Sequence, residues 1–147
     1  PVQPAYIYTK TSFPAAFEMN LKFMSTSLSG EMEIVLLGTK SLTPRYRLNL
    51  KPDNSEDSPI EIIRESNSRQ FVIGAATKFP RVNDGKLHTL TWKRLTNGAM
   101  HVLIDGDVVL QTVEVYYKDS FSGFGIANNG GSYEWDSFNI QKALDPI

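Results

Sequence analysis

Hydrophobic and polar residues alternate along most of the chain. Residues 17–23 show this most clearly, because polar Glu18, Asn20 and Lys22 separate four apolar residues. A period of two places successive side chains on opposite faces of a β-strand, so this segment predicts a strand with one buried face. Further strand-sized apolar runs follow at 32–36, 46–50, 60–63, 71–73, 90–92, 100–104, 108–110, 124–126 and 138–140.

Turn-forming residues separate these runs. Asn97-Gly98 and Asp105-Gly106 predict two tight hairpins, because Asn, Asp and Gly tolerate positive φ. The hairpins would pair 87–95 with 99–104, and 100–104 with 108–113. No ten-residue window carries a persistent helical stripe. About ten short strands joined by turns predict an all-β fold, either a two-sheet antiparallel β-sandwich or a barrel.

Composition restricts the size and class of the protein. The 147 residues, 41% of them hydrophobic, suit a single domain spanning 1–147 with a real core. Prolines near both ends suggest that this domain was excised from a larger multidomain protein. The acidic segment 51–59 predicts a solvated loop. The functional alternative is that this segment binds a metal ion or forms a lid that contacts a ligand.

Charge and cysteine content narrow the function classes. A net charge of −1 argues against nucleic acid or an anionic membrane as a partner. No apolar run reaches the length of a membrane span, and no secretory leader is expected at the start of the sequence. The absence of cysteine excludes disulfides, thiolate metal sites and a cysteine nucleophile.

Several segments together resemble a known superfamily. Residues 84–92 read DGKLHTLTW, 100–106 read MHVLIDG, 121–126 read FSGFGI and 133–140 read YEWDSFNI. With the opening hairpin 17–23 and 31–37, they resemble the concanavalin A-like lectin/glucanase superfamily, especially its laminin-G-like branch. The short cysteine-free format is similar to bacterial carbohydrate-binding modules such as the family-66 type.

The resemblance implies both a fold and a function. It implies a jelly-roll sandwich of two antiparallel sheets and a non-catalytic carbohydrate-binding module for an oligosaccharide or polysaccharide. It further implies secretion to the extracellular space or cell surface, as a monomer or tethered to a glycoside hydrolase or polysaccharide lyase. Two departures stand out: Leu87 occupies a position often held by Trp in laminin-G-like domains, and the galectin series of His, Asn, Arg, Trp, Glu and Arg is not found.

Sugar rings stack on aromatic side chains, and their hydroxyls bind planar polar groups, so aromatic residues off the core face are the candidates for a glycan site. Phe138 and Ile140 are expected to face the core, which by parity places Tyr133 and Trp135 on the other side of the last strand. The predicted glycan site is an aromatic and amide patch, with two further candidates on the strand near residue 46. The patch comprises Tyr133, Trp135, Tyr116, Tyr117, Asn128 and Asn129, and the further candidates are Arg45 and Tyr46.

Sandwich modules often hold a structural calcium in oxygen-rich geometry, although no cofactor is required for sugar binding. No contiguous calcium-loop motif occurs, and Asp136 and Asp53 are the candidate ligands. Catalysis has less support. Glycosidases of this fold use an E-x-D-x-x-E strand, but Asn139 occupies the third acidic position after Glu134 and Asp136. His88 is expected to be an inward, hydrogen-bonded structural residue.

Two other functions remain open from the sequence. A laminin-G-like protein-interaction domain would present an exposed acidic or apolar patch without an aromatic cleft. A small sugar-active enzyme would hold two carboxylates close together in a cleft.

Overall fold

The computed structural model describes residues 5–26, 30–38, 43–51, 59–76, 81–129 and 133–143. Eleven strands run through this part of the chain, and it contains no helix. The strands are β1 (Ala5–Phe13), β2 (Phe17–Ser25), β3 (Glu31–Leu37), β4 (Pro44–Leu50), β5 (Ile60–Ser66), β6 (Arg69–Ala76), β7 (His88–Arg94), β8 (Ala99–Ile104), β9 (Asp107–Val113), β10 (Phe121–Asn129) and β11 (Tyr133–Lys142).

The strands form two antiparallel sheets. One sheet has six strands in the order β1-β10-β3-β4-β5-β6, and the other has five in the order β11-β2-β7-β8-β9. The predicted all-β sandwich is therefore confirmed, and so are the two predicted hairpins, which are β7–β8 and β8–β9. Asp105 and Gly106 join β8 to β9 with φ angles of 51° and 87°, the left-handed geometry that the Asp-Gly pair predicts.

The core lies between the two sheets and follows the predicted alternation. On β2 the side chains of Phe17, Met19, Leu21 and Phe23 are fully buried, and the polar residues between them face outward. Trp92 of β7 meets Phe17 edge-to-face, with ring centroids 5.7 Å apart. Edge-to-face packing suits the ring quadrupoles and adds to the burial energy of these large side chains.

Strand β11 departs from the predicted alternation. Trp135 pairs with Phe23 of β2, but Ser137 pairs with Lys22, so Asp136 is an extra residue that forms a β-bulge. A bulge moves the following residues to the opposite face. Trp135 and Phe138 therefore both pack against the core, and the expectation that they lie on opposite sides is wrong.

His88 ties the start of β7 to the β8–β9 turn, as its predicted structural role requires. Its Nδ1 lies 2.6 Å from Oδ2 of Asp105, and its Nε2 lies 2.8 Å from Oδ1 of Asp84. Burial opposes protonation, but the hydrogen bonds to Asp105 and Asp84 outweigh burial and raise the pKa of His88 above its usual value. When both ring nitrogens are protonated, the imidazolium donates to both carboxylates.

Candidate functional site

Charged side chains cover the outward side of β4 and β5. Tyr46 and Leu48 of β4 point into the core, so Arg45 and Arg47 point away from it. The guanidinium of Arg47 donates to the carboxylates of Glu33 on β3 and Glu65 on β5. We call this surface the arginine face, and it comprises Arg45, Arg47, Glu33, Glu65 and Asp119.

Arg45 reaches Asp119 in the segment after β9. Its two terminal nitrogens donate to the two carboxylate oxygens at 2.8 and 3.1 Å, a bidentate geometry. The hydrogen bond with Arg45 lowers the pKa of Asp119. Gly38 permits this path, because a Cβ at that position would lie 2.6 Å from Nε of Arg45.

Two consecutive tyrosines border the arginine face, and with Tyr46 they form what we call the tyrosine cluster (Tyr46, Tyr116 and Tyr117). The Tyr117 hydroxyl donates to the backbone oxygen of Glu65 at 2.6 Å, and the Arg45 guanidinium lies 4.6 Å from the centre of its ring. The Tyr117 amide donates to the Tyr46 hydroxyl at 3.3 Å. The tyrosine cluster is thus attached to the arginine face through both β4 and β5.

The three rings differ in accessibility. Tyr46 is fully buried, and burial raises its pKa to about 12. As a candidate ligand-contacting residue Tyr46 is therefore wrong: it faces the core on β4 and supports Tyr117 from beneath. Tyr116 is 49% exposed, and its ring faces the Arg64 guanidinium at 4.5 Å. Arg64 also pairs with Glu114 at 3.2 Å.

Arg94 holds the segment that carries Tyr116 and Tyr117. Its Nη2 donates to the backbone oxygens of Glu114 at 2.7 Å and Tyr117 at 2.6 Å. Arg94 is buried at the end of β7, and burial lowers its pKa. The backbone on both sides of the exposed Tyr116 ring is therefore fixed by one buried cation.

The second group of predicted residues lies at the other end of the sandwich. Tyr133 is buried, and its hydroxyl donates to the Leu50 oxygen at 3.5 Å. Trp135 is half-buried, and its indole Nε1 donates to the Met32 sulfur at 3.1 Å. An apolar groove of about 270 Å³, lined by Trp135 and Ile7 among others, opens beside it between β1 and β11.

The predicted single patch is therefore wrong. Tyr116 and Tyr117 precede Phe121 at the start of β10, whereas Asn128 and Asn129 end that strand near Tyr133. At roughly 3.3 Å per residue, seven residues of β10 separate the two groups by about 23 Å. The structure instead brings Tyr116 and Tyr117 together with Arg45 and Tyr46, the two further candidates.

The structure describes one of the two metal candidates. Asp136 is the exposed extra residue of the β11 bulge, and Asp53 lies outside the described residues. Within the described segments, no three His, Asp or Glu side chains converge on a point that could hold a metal ion. Within the same segments, no helix is long and apolar enough to cross a membrane.

Sequence reasoning missed several residues of the arginine face. Arg47 shares its face of β4 with Arg45, so alternation alone would have indicated it. Glu33 is only 7% exposed and binds Arg47, although the alternating pattern of its segment does not mark it as buried. Glu65 and Asp119 meet these arginines only through strand pairing and through the path of the segment after β9, which local patterns do not indicate.

Comparison with solved structures places the fold. The carbohydrate-binding module CBM66 from Bacillus subtilis superimposes with a TM-score of 0.71 at 13% identity, over 95% of this chain and 82% of that one. The fold is the concanavalin A-like β-sandwich. A tetrameric galectin from the ball sponge Cinachyrella superimposes with a TM-score of 0.66 at 9% identity, covering 92% of this chain and 98% of that one.

A lactose-liganded congerin II structure gives a TM-score of 0.66 at 10% identity, over 95% of this chain and 100% of that one. No protein-family model matches the sequence, and a search of curated proteins found no significant match. The resemblance predicted from residues 84–140 and the opening hairpin is confirmed at the level of fold. At these identities the similarity concerns architecture, so function has to be argued from the site itself.

Proposed function

We propose that this domain binds glycans, without catalysing their cleavage, through the arginine face and the adjoining tyrosine cluster. The observation that carries the proposal is the arrangement of Arg45 and Arg47, each held by carboxylates, with the Tyr117 ring against the Arg45 guanidinium and the half-exposed Tyr116 ring 4.9 Å from that of Tyr117. A paired guanidinium and carboxylate offer a donor and an acceptor side by side, which matches neighbouring sugar hydroxyls. Because both groups are already oriented, binding costs little side-chain entropy.

An exposed aromatic residue lies on either side of these polar groups. Tyr116 belongs to the tyrosine cluster, and Tyr8 lies on β1, the edge strand of the six-stranded sheet, where its side chain is 61% exposed. A cavity of about 380 Å³, lined by Tyr8, Leu37 and Pro44, lies between Tyr8 and the start of β4. The apolar C–H faces of a sugar chain would stack on these rings while its hydroxyls bind the arginine face.

The likeness to CBM66 and to galectin structures supports the class of ligand. Among its described residues the arginine face contains two arginines and three carboxylates. Their opposite charges are paired with one another. A neutral glycan therefore fits better than a sulfated one, which would need uncompensated cations. Secretion, tethering to an enzyme and a structural calcium ion are further parts of the proposal that rest on the superfamily resemblance.

A glycan-array screen of the purified domain, repeated with calcium and with a chelator, tests the proposal. Glycans that bind are then titrated by calorimetry against Arg45→Gln and Glu65→Gln. Arg81→Gln is the matched control, because Arg81 is exposed before β7 and donates to Asn83 rather than to a carboxylate of the arginine face. We expect each arginine-face variant to weaken binding about tenfold or more, since each leaves a partner unpaired, and the control to bind normally.

Three outcomes would contradict this assignment. Binding that survives both arginine-face variants but is lost in Trp135→Ala would move the site to the opposite end of the sandwich. The absence of binding to any glycan would favour a protein partner. Release of reducing ends from a bound glycan would reveal the sugar-active enzyme that the proposal excludes.

A further inference from the structure

A separate cavity of about 440 Å³ lies at the end of the sandwich behind the tyrosine cluster. Its walls come from the β1–β2 connection, the β7–β8 turn and the segment after β9. The described lining residues include Ala15, Ala16, Arg94, Thr96, Asn97 and Lys118. The volume falls in the range of small-molecule sites.

The charge of this lining is one-sided. Among its described residues Arg94 and Lys118 are cationic, and none is acidic. The arginine face differs in this respect, because there each guanidinium meets a carboxylate. A cavity with cationic walls raises the local concentration of anions.

Arg94 is a buried cation that forms no ion pair with any residue the structure describes. Arg94 is 3% exposed, and its described hydrogen-bond acceptors are the backbone oxygens of Ala15, Glu114 and Tyr117. Its guanidinium also lies 5.4 Å from the centre of the Tyr46 ring. The bond from Nη1 to Ala15, a residue of the cavity wall, is long at 3.5 Å, and the buried Nε has no described acceptor. Burying a charge without a counter-ion is costly, so an anion near this guanidinium would be stabilised.

The nearest acidic residue is already committed elsewhere. The Glu114 carboxylate accepts from Arg64 at 3.2 Å and from the Tyr116 amide at 2.7 Å. Only its backbone oxygen binds Arg94. Within the described chain the Glu114 carboxylate therefore acts on Arg94 only through space, and an anion in the cavity would be the first carboxylate to hydrogen-bond its guanidinium.

We propose that this cavity binds the carboxylate group of a small acidic ligand, with Lys118 as the exposed cationic partner and Arg94 as the buried one. Thr96 and Asn97 at the rim offer hydroxyl and amide groups to the rest of the ligand, and Ala15 and Ala16 provide an apolar wall. This site uses different side chains from the proposed glycan site, and Arg94 connects the two because it also holds the backbone of the segment that carries Tyr116 and Tyr117. Two sources of the carboxylate are distinguishable by experiment: an acidic sugar and a simple organic acid.

The test is a titration of the ¹⁵N-labelled domain followed by NMR, with glucuronate, acetate and glucose as probes. We expect saturable shifts from glucuronate or acetate at Asn97, Gly98, Lys118 and the Arg94 Nε–H, and none from glucose. Binding of both acids identifies a carboxylate site without sugar selectivity, whereas much tighter binding of glucuronate identifies an acidic sugar. Either result supports the proposal.

Charge-reversal variants give the control. Lys118→Glu should weaken acid binding at least tenfold, whereas Lys22→Glu should leave it unchanged, because Lys22 is exposed on the outward side of β2. Ala15→Leu should reduce binding by filling the cavity. The proposal is overturned if glucose shifts the same signals, if both charge reversals act equally, or if neither acid produces a saturable shift.

Discussion

The two ends of the sandwich both collect aromatic residues, but they use them differently. At one end, Arg64 and Arg94 hold Tyr116 and Tyr117 so that the Tyr116 ring remains half-exposed. At the other end, Tyr133 and Trp135 turn inward and pack against the core. The comparison shows that cation and carbonyl contacts can fix an aromatic ring at the surface, whereas contact with apolar side chains draws it inward.

The largest effect expected in this comparison comes from removing the anchor of the tyrosine cluster. Arg94→Met leaves the backbone oxygens of Glu114 and Tyr117 without their charged donor. We expect the free energy of unfolding to fall by about 3 kcal/mol, since several buried hydrogen bonds are lost together. Urea unfolding measures this, and Arg69→Met is the control for losing an exposed arginine. A loss below about 0.5 kcal/mol would show that other contacts hold the segment.

Trp135→Ala separates stability from binding at the opposite end. The half-buried indole packs against the core, so its removal should lower the free energy of unfolding by about 2 kcal/mol. Glycan affinity of the folded variant should stay within about twofold of the wild type. Trp135→Phe, which keeps an aromatic ring, should recover part of the lost stability. A large loss of affinity without a loss of stability would reverse the assignment of the two ends.

Tyr116→Ala should show the opposite profile. Its half-exposed ring contributes little to the core, and we expect a stability change within about 0.5 kcal/mol. Glycan affinity should fall by about 1–1.5 kcal/mol through the loss of stacking. Calorimetry measures the affinity and thermal melting the stability. Tyr8→Ala, examined in parallel, shows whether the ring on the far side of the sheet contributes as much.

The smallest effect concerns His88, which lies at the end of β7 opposite Arg94. The pKa of His88 is raised in the folded protein, so its pairing with Asp84 and Asp105 stabilises the fold fully at pH values below the unfolded pKa of about 6.5. This stabilisation is lost as the pH rises through the folded pKa. His88→Gln should therefore destabilise more at pH 6 than at pH 9, by less than about 1 kcal/mol. Melting curves at both pH values measure the difference. Equal destabilisation at the two values would show that protonation of His88 has no part in it.

Local sequence patterns predicted the sandwich well. Alternation in β2 and β7, and the Asp105-Gly106 turn, depend only on neighbouring residues, and all three appear as expected. Strand β1 was missed, although its residues have strand character. Its pairing with β10 joins Ala5 to Asn128, a contact that no local pattern reveals.

The candidate site was harder to predict for two physical reasons. One extra residue, Asp136, reversed the faces of β11, and parity counting cannot detect a bulge. The arginine face also depends on partners distant in sequence, because Arg45 meets Asp119 across 74 positions. The residue types needed for sugar binding were evident, but their grouping required the topology.

The position of β10 also determines how the molecule must fold. This late strand lies between β1 and β3, so the six-stranded sheet is continuous only once residues 121–129 have joined it. Pairings between distant residues raise contact order, and domains dominated by such pairings fold on millisecond to second timescales. During synthesis on the ribosome, β1 would remain without its partner until β10 emerged. In that interval its exposed edge could pair with other chains, so correct folding would depend on rapid completion of the chain or on a chaperone.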